Sequence, residues 1–412
     1  MKRLFILEEI TAGYRKMTTA GKNLVCENVI LVTHSMGGLV ARLAAKIDQE
    51  GRQRILGVAH GVMPATGAAT AYKRTRSGFE GASAVILGWD GADMMATMAY
   101  AAGPLELMPF PNYNANFDPY QTPEATPRKH WLRACHQDGR NNEISYDLGT
   151  KDFMGSIYLS DEENVWWRLM KEELINPAGK EERAKKIKEA RKNGKVIAAE
   201  NDQTTDFDKF ALLMTKTVQK TQSELSSGEV DYYHPVTYAH YAADREQKSF
   251  NEVCWRNTEG FYRLSKNDMP LDAMRRITPG SVPLPHKDET PDYLLGKEIS
   301  DDLLGKVTLQ LEDKNDAAYH YYSATFKIDK PREPGDGTVP ACSGAAPTKY
   351  CRQIFRHEGT AKGQPSYAHV PSYNSPIAQD VTVYSVIRIV METHPAFSAK
   401  GQPEEMTTEE EP

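Results

Sequence analysis

The 412-residue sequence lacks several features that would assign it quickly. Its five cysteines, at 26, 135, 254, 342 and 351, are odd in number and scattered. No C-x-x-C pair occurs, which argues against a cysteine zinc site. The thiols read as free and buried, although Cys342 and Cys351 are close enough in sequence to meet across a short loop. There is no basic excess: Lys and Arg number 50 against 56 Asp and Glu, a formal net charge of −6, so nothing suggests a nucleic-acid partner. No apolar run approaches the roughly 18 residues a membrane helix needs. The N-terminus, "MKRLFILEEITAGYRK", has an apolar part too short and too acid-flanked for a secretory signal peptide, so export would use a route without a cleaved signal. Internal repeats are absent, and no EF-hand loop supports calcium.

What remains is an ordinary globular composition, 40% hydrophobic and 26% charged, long enough for two domains or one elaborated domain. Leu4, Ile6, Ile10, Tyr14 and Met17 recur at helical spacing. Residues 28–33 form a short apolar run without alternation, as in a parallel strand buried on both faces. Over 36–48, Leu39, Val40, Leu43, Ala44 and Ile47 share one helical face. "RILGVAHGVMP" (54–64) is a second apolar run ending in a Gly/Pro turn. Helix, strand, turn, helix, strand is the order of a parallel α/β sheet.

From about residue 111 the chain turns rich in Pro, Asn and aromatics, and 155–275 reads as mostly polar and helical. Strands return from about 305, and the last helix is expected over 378–394. The predicted organisation is α/β core over 1–110, a mainly helical insertion capping the sheet over 111–304, core again over 305–396, and a disordered acidic tail over 397–412. A separate middle domain is the alternative.

The junction between the first strand and its helix carries a serine. A serine hydroxyl is a poor nucleophile unless a base takes its proton. A sharp strand-to-helix turn presents such a serine, and it wants small residues two positions to either side. The window here is Thr33-His34-Ser35-Met36-Gly37. Gly37 meets the requirement, while Thr33 stands where glycine is usual. The same turn aims the Met36 backbone N–H at an oxyanion. A serine serving only as helix N-cap is the plainer explanation, but the strand before it and Gly37-Gly38 after it favour Ser35 as nucleophile.

On this scaffold an acid and then a histidine follow in chain order. Asp336, in "EPGDGTVPACSG", sits in a glycine-rich turn after a strand; Asp90 and Asp93 in "GWDGAD" are its rivals. His369, in "SYAHVPSYNSPIAQ", lies in the loop before the final helix and is the expected base, with His357 at the end of "QIFRH" as the rival. His369 would take the Ser35 proton while Asp336 holds its tautomer.

"VTHSMGGLVAR", "ILGVAHGVMPATGAATAYKR", "GPLELMP", "GDGTVP" and "YAHVPSYNSPIAQDVTVYSVIRI" together resemble the α/β-hydrolase lipase effectors of the bacterial type VI secretion system, the third class most of all. "GDGTVP" with a late histidine is more distantly similar to the lecithin–cholesterol acyltransferase group. The resemblance spans both α/β segments and the middle. It implies hydrolysis of membrane phospholipid esters by Ser35, Asp336 and His369, with no cofactor. It implies production in a bacterial cytoplasm, secretion without a signal peptide, action in a rival cell's periplasm, and a cognate immunity protein and secretion-machine components as partners. It departs at the N-terminus. Relatives place several strands and the loop with the second oxyanion donor before the nucleophile strand, whereas 34 residues precede Ser35 here. A chain missing those strands and that donor is therefore expected.

The methionine-rich stretch 94–110 reads as core or as an acyl-pocket lining. The segment 179–195, with eight basic and three acidic residues, reads as a solvated helix or a head-group contact. "DYYHPVTYAHY" (231–241) is assigned no metal. Two other functions remain open: an intracellular esterase or acyltransferase of the same fold, and a truncated hydrolase that only binds a partner.

Overall fold

The computed structural model describes residues 28–47, 52–81, 84–115, 120, 130–137, 143–149, 153–160, 165–192, 205–226, 233–264, 275–277, 296–312, 321–359 and 367–393. The helix expected near the N-terminus, the tail and Cys26 lie outside them. Contacts divide the chain into two compact units. One comprises residues 1–65, 227–247 and 334–412, and the other 66–226 and 248–333. These boundaries replace the expected ones at 110 and 304. "GKVTLQLED" and "AAYHYYSATFKI" fall in the second unit rather than in the returning core.

The first unit is built on four strands, β1 (Val29–His34), β2 (Ile55–Gly61), β3 (Thr237–Ala242) and β4 (Gln353–His357), with helices α1 (Gly37–Ile47) and α2 (Pro376–Thr393). The strands lie side by side in chain order, every neighbouring pair parallel. α1 packs on β1 and β2, and α2 on β1, β2 and β3. Gly57 on β2 allows the closest approach of α2: a Cβ there would stand 2.7 Å from the Ile389 side chain. β3 is buried along its whole length, which explains why its sequence, "TYAHYA", shows no alternation. β1 carries the run Val29-Ile30-Leu31-Val32 yet, among the described residues, lies at the end of the strand order, with none of its residues fully buried and Val32 49% exposed.

The second unit contains helices, among them Ala69–Ser77, Gly91–Met98, Pro177–Lys192 and Asp206–Leu213, together with a seven-stranded sheet. That sheet is antiparallel throughout except where Leu132–Gln137 runs parallel to Val253–Leu264. The helical reading of 155–275 therefore holds up to about residue 226 and fails beyond it. The stretch 253–264 lies among polar residues, and its pairing partners are far away in sequence, where periodicity cannot register them. Trp131, Trp166, Trp255 and Phe326 fill the core of this unit, with the Trp166 and Phe326 rings stacked at 5.1 Å. Met94, Met95, Met98 and Met108 are buried there too, as core methionines. Cys135 and Cys254, on the parallel pair of strands with Cα atoms 6.3 Å apart, are joined in a disulfide, so the free-thiol expectation fails for these two. Cys342 and Cys351 are not joined in a disulfide. Among the described residues no helix is long and apolar enough to cross a membrane.

Candidate active site

Ser35 follows the last residue of β1, and α1 begins two residues later at Gly37. Its φ of +52° puts a side-chain-bearing residue in the left-handed region, at a cost of roughly 1–2 kcal/mol. The surrounding backbone holds it there: Ser35 N donates to Gly61 O at 3.0 Å, and Gly38 N to Ser35 O at 2.9 Å. A Cβ on Gly37 would lie 3.9 Å from Thr33 Cβ, an ordinary contact, so the turn has room for threonine two residues before the serine. The tight approach is one residue later, where a Cβ on Gly38 would meet Met63 Sδ at 2.5 Å. The Thr33 hydroxyl is also used, since Oγ1 bonds His60 Nδ1 on β2 at 2.8 Å. The Met36 amide opens the helix and donates to no group among the described residues.

Asp336 is 2% exposed in a turn whose next residue, Gly337, has φ +85°. One carboxylate oxygen accepts from Thr338 N at 2.9 Å and Val339 N at 2.6 Å. The other lies 2.8 Å from His369 Nδ1. His369 Nε2 in turn lies 2.8 Å from Ser35 Oγ. A carboxylate only accepts, so Nδ1 carries the ring proton and the bare Nε2 faces the hydroxyl. His369 N also donates to Asp336 O at 2.9 Å. The structure thus brings Ser35, His369 and Asp336 into one continuous hydrogen-bonded chain.

The rivals are occupied elsewhere. His357, on β4, is buried with its ring stacked on Tyr367 at 4.3 Å. Asp90 caps the helix Gly91–Met98, its carboxylate accepting from Ala92 N and Asp93 N. Asp93 accepts from Trp89 N at 3.1 Å.

Sequence reasoning missed three groups around the chain. His34 Nε2 donates to the His369 carbonyl at 2.9 Å, Tyr373 Oη donates to the Thr33 carbonyl at 2.9 Å, and His60 meets Thr33. The one signal available for His34 was its place beside Ser35. Behind the site two buried imidazoles are held neutral. Burial, then the Arg42 charge and His240, pushes His60 down to about 3. Burial, then His357 and His34, pushes His240 down to about 4. His240 Nδ1 shares a hydrogen bond with the Tyr367 hydroxyl, whose own titration burial raises. No group of three His, Cys, Asp or Glu side chains among the described residues is arranged to hold a metal.

A parallel sheet, a strand–serine–helix turn at positive φ, and an acid and a histidine arriving late from loops define an α/β-hydrolase fold. No family profile and no curated protein matches the chain. Among solved structures it is similar to a chain in the crystal structure of the Tle4–Tli4 complex, with 26% identity and a TM-score of 0.61. The match covers 95% of this chain and 65% of that one, so the present chain spans just under two thirds of the length of its match.

Proposed function

We propose that this protein is a serine hydrolase that cleaves carboxylic esters of membrane phospholipids, and that it is a lipase effector of a bacterial type VI secretion system. The observation that carries the reading is the pair of 2.8 Å contacts running from Ser35 Oγ through His369 to Asp336. In this reading Ser35 Oγ attacks the ester carbonyl while His369 Nε2 takes its proton. Asp336 keeps the Nδ1 proton in place and stabilises the imidazolium that forms. The Met36 N–H donates to the oxyanion, supported by the N-terminus of α1. His369 then returns the proton to the departing alkoxide, leaving an acyl-serine. Water, deprotonated by the same imidazole, releases the fatty acid.

The surroundings of the serine favour a greasy substrate. Met36, beside it, is 38% exposed, Val40 one turn along α1 is 60% exposed, and Val370, beside the base, is 83% exposed. Apolar side chains left in water beside a nucleophile suit acyl chains. Similarity to the Tle4–Tli4 complex, together with the motifs that resemble the third class, supports an effector with a cognate immunity protein. Delivery through the secretion machine and action in a target cell's periplasm complete the reading.

A fluorophosphonate probe tests the chemistry: the wild type is labelled at Ser35, and Ser35→Ala is not. Phospholipid vesicles test the substrate, with fatty acid release expected from the wild type only. Activity on short soluble esters without any on vesicles would refute the membrane-lipid reading.

A further inference from the structure

His369 is presented by a segment with little regular structure, residues 367–375, whose one helical element is the single 3₁₀ turn Ser372–Asn374. Two of its bonds run to Asp336, one from the ring and one from the backbone amide. They fix the base against the acid and leave its distance to the nucleophile unset. The bond to Ser35 Oγ is the reacting contact itself, and it is surrendered at every proton transfer. Something else must register this segment on the nucleophile strand.

We propose that His34 is a positioning residue: its imidazole latches the base-bearing segment to the end of β1 and so sets the distance between His369 and Ser35. The inference rests on the hydrolase reading above. His34 Nε2 and the His369 carbonyl stand 2.9 Å apart, and a carbonyl only accepts, so the proton is on His34 Nε2. The same carbonyl receives only a long contact from its own segment, Ser372 N at 3.4 Å. The two rings, with centroids 5.1 Å apart, are tilted by 47° and so touch at an angle rather than stack face to face. A second tie runs in the opposite sense. Tyr373 Oη donates to the carbonyl of Thr33, the residue before His34, at 2.9 Å, and the Tyr373 ring lies 5.9 Å from that of His34. Burial raises the Tyr373 hydroxyl to about 12, so it stays a donor at any working pH. Among the described residues β1 pairs with β2 alone. These two ties therefore join the base segment directly to the end of the strand that presents Ser35.

The test compares His34→Leu, which removes the donor, with His34→Gln, whose amide supplies an N–H at similar reach. The readout is the rate of fluorophosphonate labelling of the full chain, alongside its thermal midpoint. His34→Leu is expected to label ~5–10-fold more slowly, the weight of one net hydrogen bond, through the limiting rate rather than the probe's apparent affinity. His34→Gln is expected to recover most of that loss. Tyr373→Phe keeps the ring, loses the second tie, and is expected to slow labelling similarly; it decides the matter if His34→Leu does not fold. Wild-type labelling rates in His34→Leu, or in Tyr373→Phe where the leucine variant is unfolded, would overturn the latch alone. A glutamine variant no faster than the leucine variant at equal thermal midpoint would also overturn it. A wild-type chain that takes no label at Ser35 would overturn the hydrolase reading, and the latch with it.

Discussion

Replacing Asp336 by asparagine exchanges one carboxylate oxygen for an NH₂ group and changes almost no volume, and the structure dictates how the new amide must sit. The Thr338 and Val339 amides both point at one carboxylate oxygen, at 2.9 and 2.6 Å. Those two donors require an acceptor, so the carbonyl oxygen of the introduced amide takes that place and its NH₂ faces His369 Nδ1. A donor there forces Nδ1 to be bare, and the ring proton moves to Nε2. Nε2 then points a proton at Ser35 Oγ across the 2.8 Å gap instead of receiving one. The geometry survives while the base is lost. Such a tautomer error costs about 10⁴-fold in kcat, or ~5 kcal/mol at about 1.4 kcal/mol per decade. The assay is phospholipid or ester turnover together with fluorophosphonate labelling, and circular dichroism confirms the fold. An Asp336→Asn protein that is folded and within tenfold of wild type would refute the reasoning, because it would mean that Asp336 does not set the tautomer of His369.

Two further outcomes follow from the same structure. Ser35→Gly should be more stable than Ser35→Ala by about 0.5–1 kcal/mol, because at φ +52° glycine relieves a strain that alanine keeps; urea midpoints check this, and an alanine variant at least as stable would count against the strained turn. Stability should fall on acidification from pH 7 to 5. His60 and His240 are depressed in the folded state to about 3 and about 4, chiefly by burial, from an ordinary value of 6.5. Only the unfolded chain binds their protons in this window. Their contribution is thus full above pH 6.5 and declines below it at up to about 1.4 kcal/mol per pH unit for each ring. Denaturant midpoints that do not move between pH 7 and 5 would contradict two neutral buried imidazoles.

The Ser35 side of the site was legible because its determinants are local. An apolar run, a small-residue turn and an amphipathic helix stand within twenty residues of one another, and β1, Ser35 and α1 lie where that pattern puts them. Asp336 was reachable through its late place in the chain, and His369 through its place in the loop before the final helix, which ranked them above Asp90 and His357. What could not be read is what parallel pairing brings together. Thr33 meets His60 because β1 and β2 align those two residues, and no local pattern announces it. The partial exposure of β1 was hidden for the same reason: Val29–Val32 read as a strand covered on both sides, and cover is a property of neighbours. The sheet of the second unit was missed because Val253–Leu264 finds its partners at 132–137 and 321–328.

Ser35 and His369 are separated by 334 positions in the sequence, and the chain passes between its two units four times before the histidine is reached. Neither unit is a continuous stretch that a ribosome finishes first. A growing chain exposes the serine early but has no base to activate it until both units have been threaded through and residue 369 has emerged. Under the hydrolase reading proposed above, no unfinished copy of the chain carries a complete relay from Asp336 to Ser35.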